Sequence, residues 1–207
     1  MARYRDSKCK LCRNEGAKLF LKGERCYTPK CAFDRRPYRT GPHAQTRKKL
    51  SEYAVQLREK QKVRRIYGVL ERQFFNTFTA AARQQGVTGT LLFQRLETRL
   101  DNVVYRSGLA LSRSHARQMV MHGHILVNGK RLNIPSARVA INDVITVRAR
   151  SQAALKGMHA LRSNIGVIPA WMEADLEKLM VKILLLPERQ DVDATLKEQL
   201  IIEYYSR

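Results

Sequence analysis

Four cysteines stand in the first 31 residues, as Cys9-Lys-Leu-Cys12 and Cys26-Tyr-Thr-Pro-Lys-Cys31, with thirteen residues between the pairs. A tetrahedral zinc takes two thiolates from each of two tight turns, and this spacing meets that requirement. Four sulfur ligands leave no coordination position open, so such a metal would be structural rather than catalytic. Two disulfides would use the same sulfurs in an oxidising compartment, and an iron–sulfur cluster would use the same thiolates in a reducing one. One structural zinc is the expected cofactor, with an iron–sulfur cluster as the alternative.

The second constellation is cationic. Arg95, Arg99, Asn102 and Arg106 recur at i, i+4, i+7 and i+11, opposite Leu96, Leu100, Val103 and Val104. A helix through this stretch has one apolar face and one polar, mainly cationic face, and Gly108 stops it. Ser112 is a good N-cap for a second helix that ends near Gly123, with Ala116, Met119 and Val120 inward and Arg113 and Arg117 on the outer stripe. His124–Val127 and Lys130–Leu132 then flank Asn128-Gly129, a strong hairpin signal. Guanidinium groups are planar, permanently charged and bidentate toward phosphate. Folded RNA hides its base edges in a deep, narrow major groove and is read through phosphates, shape and 2′-hydroxyls. Two helices and a hairpin that project arginines therefore suit RNA, while an ordinary solvated helix face is the competing reading.

Charge along the chain favours the first reading. The whole carries +21, with +14 in residues 1–72, +8 in 73–150 and −1 in 151–207. An excess confined to two thirds of the chain points to a polyanion that wraps that part. An acidic membrane surface fits less well, because no stretch pairs a basic face with a broad apolar one. No apolar run reaches the length of a membrane span, and no apolar stretch follows the first residues as a secretory leader would require. The chain reads as intracellular.

The remaining elements are scaffold. Ser51 caps a helix that Gly68 ends, carrying Arg58, Lys62 and Arg65 on one stripe and Lys60 and Arg64 on another. A second helix over about 70–85 has Phe74, Phe78, Ala81 and Ala82 as its core stripe. Segment 36–50 reads as an extended cationic linker, and 151–162 as a helix. Strands at 171–173 and 181–186 pair, and Asp193 caps a last helix through Leu196, Leu200 and Ile201. The expected class is α+β: a mainly helical domain with an N-terminal metal-binding extension and an inserted RNA-binding module of two helices and a short antiparallel sheet. The expected divisions are 1–46 (extension and linker), 47–94 (helical domain), 95–162 (RNA-binding module) and 163–207 (a segment packing on the helical domain). Catalysis is not expected: the sequence offers no nucleophile with a matching base, no Gly-rich phosphate loop and no carboxylate pair, and Asp101 reads as a local charge partner. An RNA-modifying enzyme that docks through 95–147 would need a separate catalytic domain. A zinc-containing DNA-binding regulator would need a recognition helix and a dimer seam.

The stretches LREKQKVRRIYGVLERQF, RLDNVVYR, HGHILVNGKRLNIPS and the terminal EYYSR resemble the family of bacterial small-subunit ribosomal protein four, and the four-cysteine start resembles its zinc-bearing variants. The resemblance covers essentially the whole chain. The module alone is less specific, since it also occurs in pseudouridine synthases, tyrosyl-tRNA synthetases and heat-shock RNA-binding proteins. Pro42 and Ala44 depart from the Gln and Gly usual around this histidine, His43. The resemblance implies a structural constituent of the ribosome that binds the 5′ domain of small-subunit rRNA early in assembly. It further implies contacts with small-subunit ribosomal protein five and with messenger RNA, an influence on translational accuracy, and no homo-oligomer. The place implied is the cytoplasmic small ribosomal subunit, or an organelle's. By position, the implied metal ligands are Cys9, Cys12, Cys26 and Cys31. The implied rRNA contacts are Arg58, Lys60, Lys62, Arg64, Arg65, Arg95, Arg99, Asn102, Arg106, Arg113, Arg117, His122, His124, Asn128 and Lys130. The messenger channel falls to Arg47, Lys48 and Lys49.

Overall fold

A computed structural model describes residues 4–39, 41, 49–153 and 168–206. The chain forms two compact units, one of Met1–Leu92 with Asp193–Arg207 and the other of Phe93–Val192.

The first unit is helical: α1 (Lys8–Glu15), a 3-10 turn (Gly23–Cys26), α2 (Ala32–Arg35), α3 (Glu52–Tyr67), α4 (Glu71–Ala82), the start of α5 (Thr88–Glu97), and α8 (Glu198–Tyr205). The Ser51 hydroxyl accepts from the Ala54 N–H and so caps α3. Gly68, at φ 65°, turns left-handed to satisfy the carbonyls of Arg64 and Arg65. On α4, Phe74, Phe78 and Ala81 are buried. Ala82, expected in the core, is exposed because the helix ends there and the inward stripe stops at i+7.

The terminal helix α8 locks this unit. The Tyr205 ring packs 4.6 Å from Phe78, and its hydroxyl donates to Glu71 Oε1 at 2.9 Å. The Lys60 ammonium donates to the same oxygen at 2.6 Å and lies 4.4 Å from the Tyr204 ring centroid. Burial pushes the Glu71 carboxyl up, but the bonds from Lys60 and Tyr205 and the nearby Arg64 outweigh it, and the group ends below its ordinary range. Burial and the Glu71 charge push the Tyr205 phenol well up. Asp193 does not cap α8. Its carboxylate accepts from Thr195 N–H in a separate turn, and α8 starts after Lys197 without a side-chain cap.

The second unit holds the end of α5, then α6 (Leu100–Arg106), α7 (Arg113–Met121) and a five-stranded antiparallel sheet. Its strands are β1 (Ile125–Val127), β2 (Lys130–Arg131), β3 (Val144–Val147), β4 (Met172–Asp175) and β5 (Met180–Ile183), in spatial order β2-β1-β3-β5-β4. Asn128 and Gly129 sit at φ 50° and 76°, the left-handed pair that a two-residue hairpin turn demands. Ile125, Ile145, Val147, Val181 and Ile183 line the buried face, packed on Leu100, Val103, Val104, Ala116 and Val120 of α6 and α7, with Trp171 in the same core. Each fully buried side chain of this size contributes about 1.5–3 kcal/mol.

Two expectations fail here. The pair β4–β5 belongs to this sheet, since Ile145 of β3 pairs with Val181, so residues 168–192 join the module and only the last stretch joins the helical unit. The apolar alternation of β5 needs a sheet to lie on, and β3 supplies the open edge. The continuous helix from Arg95 to Arg106 is also broken. α5 stops at Glu97 and Arg99 is extended at ψ 136°. Loop 135–139 takes the backbone bonds instead: Leu100 N–H to Ala137 O at 2.8 Å, Asp101 N–H to Pro135 O at 3.1 Å, and Val139 N–H to Thr98 O at 3.0 Å. Of the helix expected over 151–162, residues 149–153 are helical and 154–162 lie outside the described residues.

Candidate nucleic-acid interface

The break between α5 and α6 rearranges the arginines. Their expected common outward stripe gives way to two carboxylate-centred networks. Asp101, 4% exposed, accepts from Arg99 through Nε at 3.0 Å and Nη2 at 2.8 Å, and from Arg117 Nη1 at 3.1 Å. Both arginines are buried with it. Glu97, fully buried, accepts from Asn102 Nδ2 at 2.8 Å and from Arg106 Nε at 3.0 Å. Arg106 also donates to the Asp191 carbonyl at 2.7 Å. Asn102 Oδ1 then accepts from Arg113 Nε at 2.8 Å, and the Arg113 guanidinium lies 4.6 Å from the Tyr105 ring centroid. A buried charge is tolerated only when paired and hydrogen-bonded, so Arg99 and Arg117 serve the module's interior. Arg113 and Arg106 are half-buried and lie at its surface.

The outward cations are different residues. Lys130, Arg131, Arg138, Arg148 and Arg150 are all exposed. Arg131 lies against Gly123, where φ is +73° and a Cβ would collide with the guanidinium. Arg148 donates its backbone N–H to the His124 carbonyl at 2.9 Å, so Arg131 and Arg148 flank the same turn. Arg138 pairs its backbone with Arg99 and adds its charge beside half-buried Arg95, which burial and that charge shift down. His122 is exposed, and His124 Nδ1 shares a hydrogen bond with Ser151 Oγ at 2.8 Å. Asn128, expected at the RNA, uses its side chain within the fold, donating to Asp143 at 2.8 Å and accepting from Val144 N–H at 2.9 Å. Of the exposed five, sequence reasoning found only Lys130. The available signal was the alternation of β2 beyond the Asn128-Gly129 turn, which turns Arg131 to one face.

Helix α3 carries its cations to partners of its own unit. Arg58 and Arg65 reach Glu15 on α1, and Arg58 also donates to the Asn14 carbonyl at 3.3 Å. Burial pushes the Glu15 carboxyl up despite the opposing pull of Arg65 and Arg58. Lys62 donates to the Thr195 carbonyl at 2.8 Å, and Arg64 pairs with Glu71 at 3.5 Å. Lys60 is 3% exposed and tied to Glu71. Its ammonium would have to leave that pair to meet a phosphate, and the structure gives it a packing role. Lys49 is exposed, whereas Arg47 and Lys48, like Pro42, His43 and Ala44, lie outside the described residues.

Residues 3–97 match the family described as Ribosomal protein S4/S9 N-terminal domain, and residues 98–145 match the S4 domain. The chain is 57% identical over 209 residues to small ribosomal subunit protein uS4 of Ruminiclostridium cellulolyticum, covering all of both chains. It is 54% identical to that of Solidesulfovibrio magneticus and 53% to that of Clostridium tetani, again over the full length of each. The chain belongs to the uS4 family.

In this uS4-family chain the four cysteines all lie in the first unit. Cys9 and Cys12 are one turn apart on α1, Cys26 closes the 3-10 turn, and Cys31 precedes α2. Arg13 ties α1 to α2 through the carbonyls of Ala32 and Arg36, both at 3.0 Å. Burial pushes the Cys12 and Cys26 thiols up. Backbone N–H groups of Leu19 and Lys22 pull the other way, and the neighbouring thiols add to the rise. The Lys22 N–H lies 3.4 Å from Cys26 Sγ. Among the described residues no group of three or more His, Cys, Asp or Glu side chains stands as a ready metal cage. The donor set nonetheless fits a thiophilic cation. Two buried thiols, Cys12 and Cys26, whose proton affinity burial and the other sulfurs raise and which face N–H donors, are what a bound cation would deprotonate. No helix among the described residues is long and apolar enough to cross a membrane.

Proposed function

We propose that this chain is a structural constituent of the small ribosomal subunit and binds small-subunit rRNA directly. The observation that carries the reading is the module's set of exposed cations, Lys130, Arg131, Arg138 and Arg148, beside arginines that Glu97 and Asp101 pair within the fold. Exposed cations on an ordered scaffold meet phosphates at little ordering cost. The relatives' printed name supports the same assignment. The test is competition: labelled small-subunit rRNA 5′-domain fragment bound to the full chain, challenged with tRNA and with duplex DNA. Binding should survive roughly a hundredfold excess of either competitor, with log affinity falling by about 0.7–0.9 per phosphate neutralised as log salt rises. Equal competition by all three nucleic acids, or a flat salt response, overturns the reading.

The finer assignments follow from the resemblance and from charge. The 5′ domain is the rRNA target, binding occurs early in assembly, and small-subunit ribosomal protein five is a neighbour. Cys9, Cys12, Cys26 and Cys31 would hold one zinc, whose chemistry there is structural cross-linking of α1 to the 3-10 turn and α2. Arg47, Lys48 and Lys49 precede α3 in the sequence, and a run of three cations suits sequence-independent attraction of a moving messenger strand. Changing all three to Ala should leave 5′-domain affinity within about threefold, because other residues supply the rRNA phosphate contacts. Translation through structured messages should slow. An rRNA affinity loss without a separate translation defect would make them ordinary rRNA clamps.

A further inference from the structure

We infer that Glu97, an acidic residue in an RNA-binding module, raises RNA affinity by fixing the guanidinium of Arg113. The inference rests on the rRNA-binding reading above. Elementary electrostatics argues the opposite, since removing a negative charge from a protein that binds a polyanion should strengthen binding.

The relay decides against that expectation. Glu97 is 0% exposed and never meets solvent. Its Oε2 accepts from Asn102 Nδ2 at 2.8 Å and Arg106 Nε at 3.0 Å, and its Oε1 accepts from Arg106 Nη2 at 3.3 Å. Its backbone carbonyl accepts from the same Asn102 Nδ2 at 3.0 Å. With its amino group committed to Glu97, Asn102 can present only oxygen to Arg113, and it accepts from Arg113 Nε at 2.8 Å. Tyr105 supports the guanidinium from the side, 4.6 Å from its ring centroid. Arg113 is thus oriented before any RNA arrives, and a long side chain that is already ordered loses less freedom on binding.

A glutamine at position 97 keeps the shape and breaks the logic. Both carboxylate oxygens face donors, so the new amide NH₂ must oppose one. Facing Asn102, it turns that amide over and puts an amino group against Arg113 Nε. Facing Arg106, it releases that guanidinium and leaves Asn102 only a neutral acceptor, about half as strong as the carboxylate, to fix its amide. Asp101 differs, because the arginines it holds are themselves buried and its loss acts on the fold.

The experiment compares wild type, E97Q, R113A and the double variant for binding to the small-subunit rRNA 5′-domain fragment, with thermal melts of each. E97Q should bind about tenfold more weakly although it is more positive by one charge, as for loss of one charge-assisted contact. In the R113A background the same change should cost no more than about twofold, since the relay then ends on nothing. Binding by E97Q equal to or tighter than wild type overturns the inference, and so does an equal loss in both backgrounds, which would make Glu97 purely a fold residue. N102A cuts the relay while sparing the Glu97–Arg106 pair, and it carries the test if E97Q does not fold: an unchanged affinity overturns the inference, and an Arg113-dependent loss supports it. Failure of the wild type to prefer this rRNA falls on the functional reading instead.

Discussion

Purified under reducing conditions, the chain is expected to carry about one zinc ion, and stripping it should unfold the segment before α3 while leaving the module of 93–192 intact. The apolar cluster around the cysteines is small: Leu11, Cys12 and Leu19, with Tyr4, Leu21, Phe33 and Ile66 packed against them. At about 1.5–3 kcal/mol per well-buried side chain, that cluster does not hold some thirty loop-rich residues against an ordering cost of about 1–2 kcal/mol each. A structural zinc supplies about 10–16 kcal/mol in small domains, enough to decide whether this part folds. Cys26→Ser removes a buried sulfur and should abolish stoichiometric metal, with amide exchange across 4–39 rising steeply. Elemental analysis and hydrogen exchange on wild type, chelated and C26S protein check both halves. Iron with acid-labile sulfide would replace zinc by a cluster. A native, metal-free protein with four freely titrating thiols would refute the site.

What was legible in the sequence is what is decided locally. Ser51 and Ser112 cap the helices expected of them, Gly68 ends α3, and Asn128-Gly129 turns the hairpin, because each signal and its structural answer lie within a few residues. Phe74, Phe78 and Trp171 are core, as their periodicity or size suggests. What was not legible depends on partners distant in sequence. Nothing near Thr98 announces that the carbonyls of Pro135 and Ala137 will take the N–H groups of Asp101 and Leu100 and break a well-patterned helix. Once it breaks, the i, i+4, i+7 arithmetic that put Arg99 and Asn102 on an outer face no longer applies, and both are buried. Lys60 reads as a surface cation until Glu71 and two tyrosines from α8 close over it. The same blindness hid Arg131, Arg138 and Arg148, whose exposure is set by how loop 132–143 brings β3 back to pair with β1.

That redistribution changes which substitutions should weaken RNA binding. Replacing Lys130, Arg131, Arg138 and Arg148 together by Ala should lower affinity for the 5′-domain fragment about 10²–10³-fold at low salt, and should reduce the salt slope by up to about 3 if all four meet phosphates. All four are exposed, so each change should move stability by no more than about 0.5 kcal/mol. Arg117→Ala gives the reverse signature. Its guanidinium is 6% exposed and shares Asp101 with Arg99, so its loss strips half the compensation from a buried carboxylate and should cost about 3–5 kcal/mol of unfolding free energy. Any RNA defect there would follow from the module's melting and not from a lost phosphate. Lys178 and Lys182 supply the control. They are exposed but sit among acidic neighbours, Lys178 paired with Asp175 at 3.5 Å and Lys182 in register opposite Glu173 on β4, and their double change should leave both affinity and slope unaltered. Urea midpoints and salt-dependent binding on the three variants separate the cases. Should the quadruple variant bind within about threefold of wild type with the same slope, these exposed cations are a solvated surface and the phosphates meet the protein elsewhere.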